Sequence, residues 1–161
     1  MYSAWSTILV VIHGLFAVGL IGAVTYQVLV LWRAAPASPG SVGDAFFGRL
    51  RNVRAGSYAN AVVILYVLDF ALGCVIYATY RIEVRPYLEE IRSFVAAGSF
   101  ETKEHLAALG PGLLPAYWLF WKAPGFAAHT TERKYITLIL AFFVWWSFLV
   151  GHILNNIRGL P

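Results

Sequence analysis

The stretch YITLILAFFVWWSFLVGHILNNI, residues 135–157, contains no charged residue and decides the fold. Arg133 and Lys134 precede it, and Arg158 follows it. An uncharged apolar run of about 20 residues is long enough for one helical crossing of a bilayer. We therefore expect a transmembrane helix here. Its His152 needs an explanation, because an ionisable side chain is costly in lipid.

The composition of the whole chain is typical of a membrane protein. Of its 161 residues, 60% are hydrophobic and 12% are charged, whereas soluble domains contain about 25% charged residues. The basic residues gather at the ends of long apolar runs, so the net charge of +4 reflects membrane topology. It indicates no nucleic-acid partner. The expected partners are the lipid bilayer and other membrane or extramembrane subunits.

Four apolar runs predict four transmembrane helices, which form one bundle in a single domain of residues 1–161. Gly110, Pro111, Gly112 and Pro115 interrupt the third run. Because proline removes a backbone hydrogen bond, we expect this span to be kinked, with a re-entrant or broken helix as the alternative. The predicted spans cover residues 4–32, 57–80, 105–126 and 135–157.

The two longer linkers each predict a short amphipathic helix at the membrane surface. In the first, Asp44 can cap a helix over residues 45–54 whose arginines alternate with apolar residues, a pattern typical of a helix on an anionic leaflet. A plain basic loop is the alternative. In the second, Pro86 suits a first helical turn and Gly98 an end. The expected apolar face of this second helix comprises Leu88, Ile91, Phe94 and Val95.

Four spans would place both chain termini on the same side of the membrane. Basic residues are slightly more numerous on the opposite side, and the positive-inside rule assigns that side to the cytoplasm. We therefore expect an integral protein of the bacterial inner (cytoplasmic) membrane with both termini outside. The expected cytoplasmic set is Arg33, Arg49, Arg51, Arg54, Arg133 and Lys134, and the outer set is Arg81, Arg85, Arg92, Lys103 and Arg158.

Three histidines, His13, His105 and His152, fall in the half of the predicted spans that holds the termini. Haem iron takes imidazole as an axial ligand, and helical bundles draw cofactor ligands from facing helices. We therefore predict a b-type haem between His13 and His152, with His105 as the substitute ligand. The alternative is that these histidines form hydrogen bonds between packed helices. Candidate partners for the haem propionates are Arg81, Arg85 and Arg158.

A second candidate site is a divalent-metal site. Glu101 and His105 are four residues apart and share one helix face, and His152 belongs to the same half of the membrane. Imidazole and carboxylate groups both suit zinc or copper. The alternative is that Glu101 simply stabilises the start of a helix through its macrodipole.

A third candidate is Asp69, a carboxylate near the middle of the second span. Ionisable residues inside membrane spans are expensive and are functional candidates by default. Asp69 could pass protons, bind a cation together with Gln27 and Asn60, or be a protonated structural residue. It belongs to a stripe with helical spacing that should face protein, formed by Tyr66, Asp69, Gly73, Tyr77 and Tyr80.

The general plan resembles the small four-helix membrane cytochromes and the membrane-anchor subunits of respiratory complexes. The resemblance covers architecture alone and implies no residue roles. The sequence contains no phosphate-binding glycine loop, cysteine pair or nucleophile elbow. We expect an anchor or accessory subunit of an electron-transfer complex, exchanging electrons with a quinone pool. The alternatives are a proton or divalent-metal transporter, and a purely structural subunit without a cofactor.

Overall fold

The computed structural model describes residues 4–32 and 55–159, in which all regular secondary structure is helical. Four helices are long and one is short. We number them α1 (Ala4–Trp32), α2 (Tyr58–Thr79), α3 (Arg85–Glu90), α4 (Phe94–Lys122) and α5 (Thr130–Gly159). Single 3-10 turns occur at Ala55–Ser57 and Pro124–Phe126, and a π-helical turn at Tyr80–Val84 joins α2 to α3.

Three helical stretches are long and apolar enough to cross a membrane, which is consistent with an integral membrane protein. They are Trp5–Trp32, Ala55–Glu90 and Thr130–Asn156. Helix α1 has the predicted bounds, α2 differs from its prediction by one residue at each end, and α5 begins five residues early. The early start of α5 extends it over charged residues that lie outside the apolar run.

Helix α4 differs most from its prediction. It begins at Phe94 rather than at residue 105, and it continues without interruption to Lys122. Pro111 and Pro115 lie inside the helix, so the alternative of a re-entrant or broken helix is wrong. Prolines are tolerated within helices where neighbouring helices support the backbone, and α4 packs against both α2 and α5. Its glycines, prolines and terminal charges make it less apolar than the three stretches above.

The second linker contains a short helix, but not with the predicted bounds. Pro86 occupies the first turn of α3 as expected, and Arg92 then adopts a positive φ of 56° in the turn that follows. Gly98 lies inside α4, so the predicted helix end at Gly98 is wrong. Because the turn separates α3 from α4, the predicted apolar face is divided: Leu88 is buried, whereas Ile91, Phe94 and Val95 are exposed. The helix predicted over residues 45–54 lies outside the described residues.

The four long helices contact one another in a closed order. Helix α1 packs against α2 and α5, and α4 packs against the same two helices. Their shared core consists of small and branched residues with two buried tyrosines. Its members are Leu20, Ala23, Val24, Ala59, Val62, Tyr66, Leu114, Tyr117, Ile136, Leu140, Ala141 and Val144. A smaller cluster of Tyr80, Leu88, Ala96 and Leu154 holds α3 against α4 and α5.

Buried polar side chains tie these helices together at the end of the molecule where α1 finishes. Gln27 is fully buried, and its Nε2 donates to the carbonyl oxygen of Ala55 at 3.1 Å. The Oε1 of Gln27 accepts a hydrogen bond from the hydroxyl of Tyr117. Thr137 is equally buried and accepts from Trp121 Nε1 at 3.0 Å. Each of these polar groups is satisfied, as burial requires.

Candidate functional site

A cavity of about 460 Å³ lies between the helices in the opposite half of the molecule, where α1 begins and α5 ends. Residues of α1, α2, α4, α5 and the π-helical turn line it. Most of these side chains are apolar or aromatic, with a few polar groups among them. Ligand sites usually have this composition and volumes of about 300–1,000 Å³. We refer to this space as the inter-helix cavity.

His13 and Asp69 form a pair in the wall of the inter-helix cavity. Nδ1 of His13 lies 2.8 Å from Oδ1 of Asp69, and the two side chains are 26% and 19% exposed. The distance is that of an ion pair, although the two groups are not aligned as a hydrogen bond. The imidazole packs against α2 at Gly73, where an added Cβ would lie 3.7 Å from Cε1 of His13, an ordinary van der Waals distance.

The predicted protein-facing stripe on α2 is confirmed. Tyr66 and Tyr80 are buried, and every member of the stripe lines the inter-helix cavity. The partners suggested for Asp69 are engaged elsewhere: Gln27 bonds to Ala55 and Tyr117, and Asn60 accepts from Trp118 Nε1 at 2.9 Å. Asp69 is therefore paired with an imidazole rather than with amides.

A second ion pair lies in the cavity wall on α4. Nζ of Lys103 is 2.9 Å from Oε1 of Glu104, and it lies 4.5 Å from the centre of the Phe100 ring. The lysine side chain is only 14% exposed. Lys103 is not among the sites expected from the sequence, because charges near a helix start ordinarily indicate a solvated linker.

His152 also lines the inter-helix cavity, so both predicted haem ligands border the same space. Its residue is exposed, and its ring stacks on Phe148 with the ring centres 6.1 Å apart and the planes 4° apart. His13 is held by Asp69, whereas His152 is held by an aromatic stack. The two imidazoles come from α1 and α5, which pack against each other.

The residues expected to form a divalent-metal site are not brought together as one. His105 is exposed and does not line the inter-helix cavity, and Glu101 pairs with Arg85 Nη1 at 2.8 Å. Within residues 4–32 and 55–159, no group of three or more His, Cys, Asp or Glu side chains is arranged to hold a metal ion. Arg85 also bonds to Glu89, which occupies it further.

Two hydroxyl groups at the cavity are buried without a hydrogen-bond partner. Tyr80 is 5% exposed, its ring centre is 3.5 Å from that of Phe100, and its hydroxyl oxygen is unpaired. Ser147 Oγ on α5 is in the same situation. Buried polar groups normally have partners, so these two hydroxyls require an explanation.

The pairing of His13 with Asp69 could have been predicted from the depth of each residue along its helix. His13 is nine residues from the start of α1 at Ala4, and Asp69 is ten residues from the end of α2 at Thr79. At 1.5 Å per residue, both lie about 14–15 Å from the same end of the two helices. Matching polar residues by depth in neighbouring antiparallel helices would have found the pair.

Comparison with family models, curated proteins and solved structures finds no match to this chain. The fold and the site therefore define its class. It is an all-helical protein in the described residues, with three helices able to cross a membrane and a partly polar cavity between its long helices.

Proposed function

We propose that this protein is a small membrane subunit of a respiratory-type electron-transfer complex and that a redox molecule binds in the inter-helix cavity. The observation that supports this most strongly is the His13–Asp69 pair in the cavity wall. A carboxylate and an imidazole are costly inside membrane helices and are retained there for a function. The fully buried polar side chains of the other half, Gln27, Tyr117 and Thr137, are hydrogen-bonded within the protein.

The membrane arrangement that suits this function has four spans. Helix α4, with 29 residues, is about 44 Å long and therefore exceeds the hydrocarbon thickness of about 30 Å. Its packing against α2 and α5 partly buries Pro111, whereas Pro115 is exposed. Four spans put both termini on one side, and the distribution of basic residues favours the outside of a bacterial cytoplasmic membrane.

A b-type haem is the cofactor expected from the histidines, and its fit can be tested on the residues present. Asp69 stands beside Nδ1 of His13, as an outer carboxylate stands beside a metal-binding imidazole, which leaves Nε2 for iron. His152 offers a second imidazole on the same cavity. A bound haem would supply one-electron transfer. The chain itself would hold the iron, fix the orientation of His13 through Asp69, and exclude water with its aromatic side chains.

The deciding experiment is a visible absorption spectrum of the purified protein, oxidised and then reduced with dithionite. We expect a sharp reduced α-band at about one haem per chain, which His13→Ala and His152→Ala should abolish. The matched controls are His105→Ala and His129→Ala. Both residues are exposed, and neither lines the inter-helix cavity. Both controls should keep the band. Circular dichroism should show unchanged helix content in all four variants.

A flat spectrum after expression with ample haem and with any co-purifying partners would exclude the haem but not the wider function. Equal loss of the band in the cavity variants and the controls would show general unfolding rather than loss of a ligand. In that case the assignment of His13 and His152 as ligands would be withdrawn.

Proton transport is a second candidate, favoured by a different feature of the same site. The cavity leads from the exposed His152 to the half-buried Asp69, while Gln27 and Tyr117 close the interior beyond it. This is the form of a half-channel that ends at a carboxylate. A divalent-metal transporter would have to use Glu101, His105 and His152, which the structure leaves apart. A purely structural subunit would show neither colour nor flux but would co-purify with fixed partners.

A further inference from the structure

The charges in the wall of the inter-helix cavity are balanced within the protein. His13 is paired with Asp69 at 2.8 Å, and Lys103 is paired with Glu104 at 2.9 Å. Lys103 is the one lysine or arginine among the described lining residues. A charged ligand would have to displace one of these pairs, and separating a partly buried pair is costly. The balance of charge therefore favours a neutral ligand.

Two of the polar groups at the cavity are buried hydroxyls without a hydrogen-bond partner. Tyr80 belongs to the π-helical turn after α2 and Ser147 to α5, and both residues line the cavity. Both can donate to a carbonyl oxygen and accept from a hydroxyl. Leaving a buried donor unpaired costs free energy that a bound oxygen atom would recover. A ligand with oxygen atoms is therefore favoured over a plain hydrocarbon.

The remaining walls suit a flat ring with an apolar tail. Phe70, Tyr77, Phe100 and Phe148 line the cavity together with aliphatic residues of α1. Aromatic rings of this kind pack well against another flat ring. The cavity also reaches Trp5, which is 67% exposed on α1, so a tail has a route out to the helix surface.

We propose that the inter-helix cavity binds the ring of a quinone or quinol, with the Tyr80 and Ser147 hydroxyls and the His13–Asp69 pair as its polar contacts. This inference rests on the electron-transfer function proposed above and names the class of molecule at that site. His13 and the two hydroxyls are binding residues, and Asp69 is a positioning residue that fixes the imidazole. The proposal concerns binding of the ring.

Haem is the alternative ligand for the same cavity, and its charge distinguishes it from a quinone. A haem carries two propionates, which require cations. Lys103 and Arg85 are already paired with carboxylates, and the side chain of Arg158 lies outside those described. Arg81 lies over the ring of Tyr77, 6.0 Å from its centre, and does not line the cavity. A quinone brings no charge and requires no rearrangement of these pairs. The structure therefore favours the quinone on charge, and haem binding becomes an outcome of the test.

The test measures binding of decylubiquinone to the full-length protein in nanodiscs, with protein-free nanodiscs subtracted. Decylbenzene, which has the tail and a ring without oxygens, is the ligand control. Tyr80→Phe keeps the stack on Phe100 and removes one hydroxyl, and Ser147→Ala does the same on α5. Each should weaken binding by about 2- to 13-fold, the range for one hydrogen bond.

His13→Phe removes the imidazole from the cavity wall and should weaken decylubiquinone binding by about 2- to 13-fold, the range for one hydrogen bond. The protein controls are Tyr87→Phe and His129→Phe, which change the same residue types outside the cavity. They should bind as the wild type does. Asp69→Asn tests positioning: it should lower affinity through the imidazole, and Asp69→Glu should recover part of the loss.

Each outcome decides the proposal. Weaker binding in Tyr80→Phe, Ser147→Ala and His13→Phe with unchanged controls supports the quinone site. Equal binding in all variants, or equal binding of decylbenzene, overturns it. Stoichiometric haem without quinone binding overturns the quinone site and keeps the electron-transfer function. Absence of both ligands overturns the quinone site and the electron-transfer function together, whereas quinone binding with a flat spectrum removes only the haem.

Discussion

Replacing Gly110 with alanine should destabilise the protein, although the change adds only one methyl group. Gly110 is buried on α4, and a Cβ at this position would overlap the phenol of Tyr66 on α2. Tyr66 is itself buried, and its hydroxyl donates to the carbonyl oxygen of Ala107 at 3.1 Å. The ring must move to admit the methyl group, and the hydrogen bond is then lost.

The size of the effect follows from three terms. Inserting an extra methyl group into a packed interior costs about 1–3 kcal/mol. Loss of the hydrogen bond from Tyr66 adds about 0.5–1.5 kcal/mol. Replacing glycine with alanine inside a helix stabilises the folded state by about 1 kcal/mol, which offsets part of this loss. The expected net loss in the free energy of unfolding is therefore about 0.5–3.5 kcal/mol, the sum of these terms.

Reversible unfolding in mixed micelles, followed by circular dichroism, measures this change. Gly112→Ala is the matched control, since it lies on the same helix and its Cβ would meet nothing within 4 Å. It should be neutral or stabilising by up to about 1 kcal/mol. In a Tyr66→Ala background, Gly110→Ala should lose its penalty, which a double-mutant cycle reports as coupling.

Two results would contradict this account. If Gly110→Ala and Gly112→Ala have equal effects, α4 and α2 are not in the described contact at Gly110. If the Gly110→Ala penalty is unchanged in the Tyr66→Ala background, the clash is not with Tyr66. Either result would also undermine the placement of Tyr66 in the cavity wall.

The remaining predictions concern the buried hydrogen bond between Tyr117 and Gln27 and the His13–Asp69 pair in the cavity wall. Tyr117→Phe should destabilise the protein by about 1–3 kcal/mol, because it leaves the buried Oε1 of Gln27 without its donor. The same unfolding assay measures it, and an equal loss for Tyr87→Phe, an exposed tyrosine, would contradict the explanation. If the proton-transport candidate is correct, Asp69→Asn should abolish proton flux into proteoliposomes, as reported by an internal pH-sensitive dye. Glu89→Gln, a carboxylate on α3 outside the cavity, should leave the flux intact; no flux in the wild type would reject the candidate.

Apolar length and helical spacing were sufficient to predict most of the helical framework. The absence of charge over residues 135–157 predicts α5, and the spacing of Tyr66, Asp69 and Gly73 predicts which face of α2 meets protein. Both signals are local, since they depend on one helix and its immediate environment. The confirmed stripe shows that the residues sharing a helix face with Asp69 indicate that this carboxylate faces protein.

The features that could not be predicted depend on how two helices meet. Helix α4 begins at Phe94 because Arg92 turns the chain just before it, and no local pattern distinguishes that turn from one at Gly98. The prolines suggested a break in α4, but packing against two neighbours supports a continuous helix. The burial of Lys103 likewise depends on α5, since its Nζ lies near Gly151.

The asymmetry of the interior is the strongest constraint on function. At one end, Gln27, Tyr117 and Thr137 are fully buried and hydrogen-bonded. At the other end, an ion pair and two unpaired hydroxyls surround open space. A structural subunit would gain stability by filling that space with apolar side chains, because cavities and unpaired polar groups both cost free energy. We therefore expect the ligand of the proposed function to bind in this half.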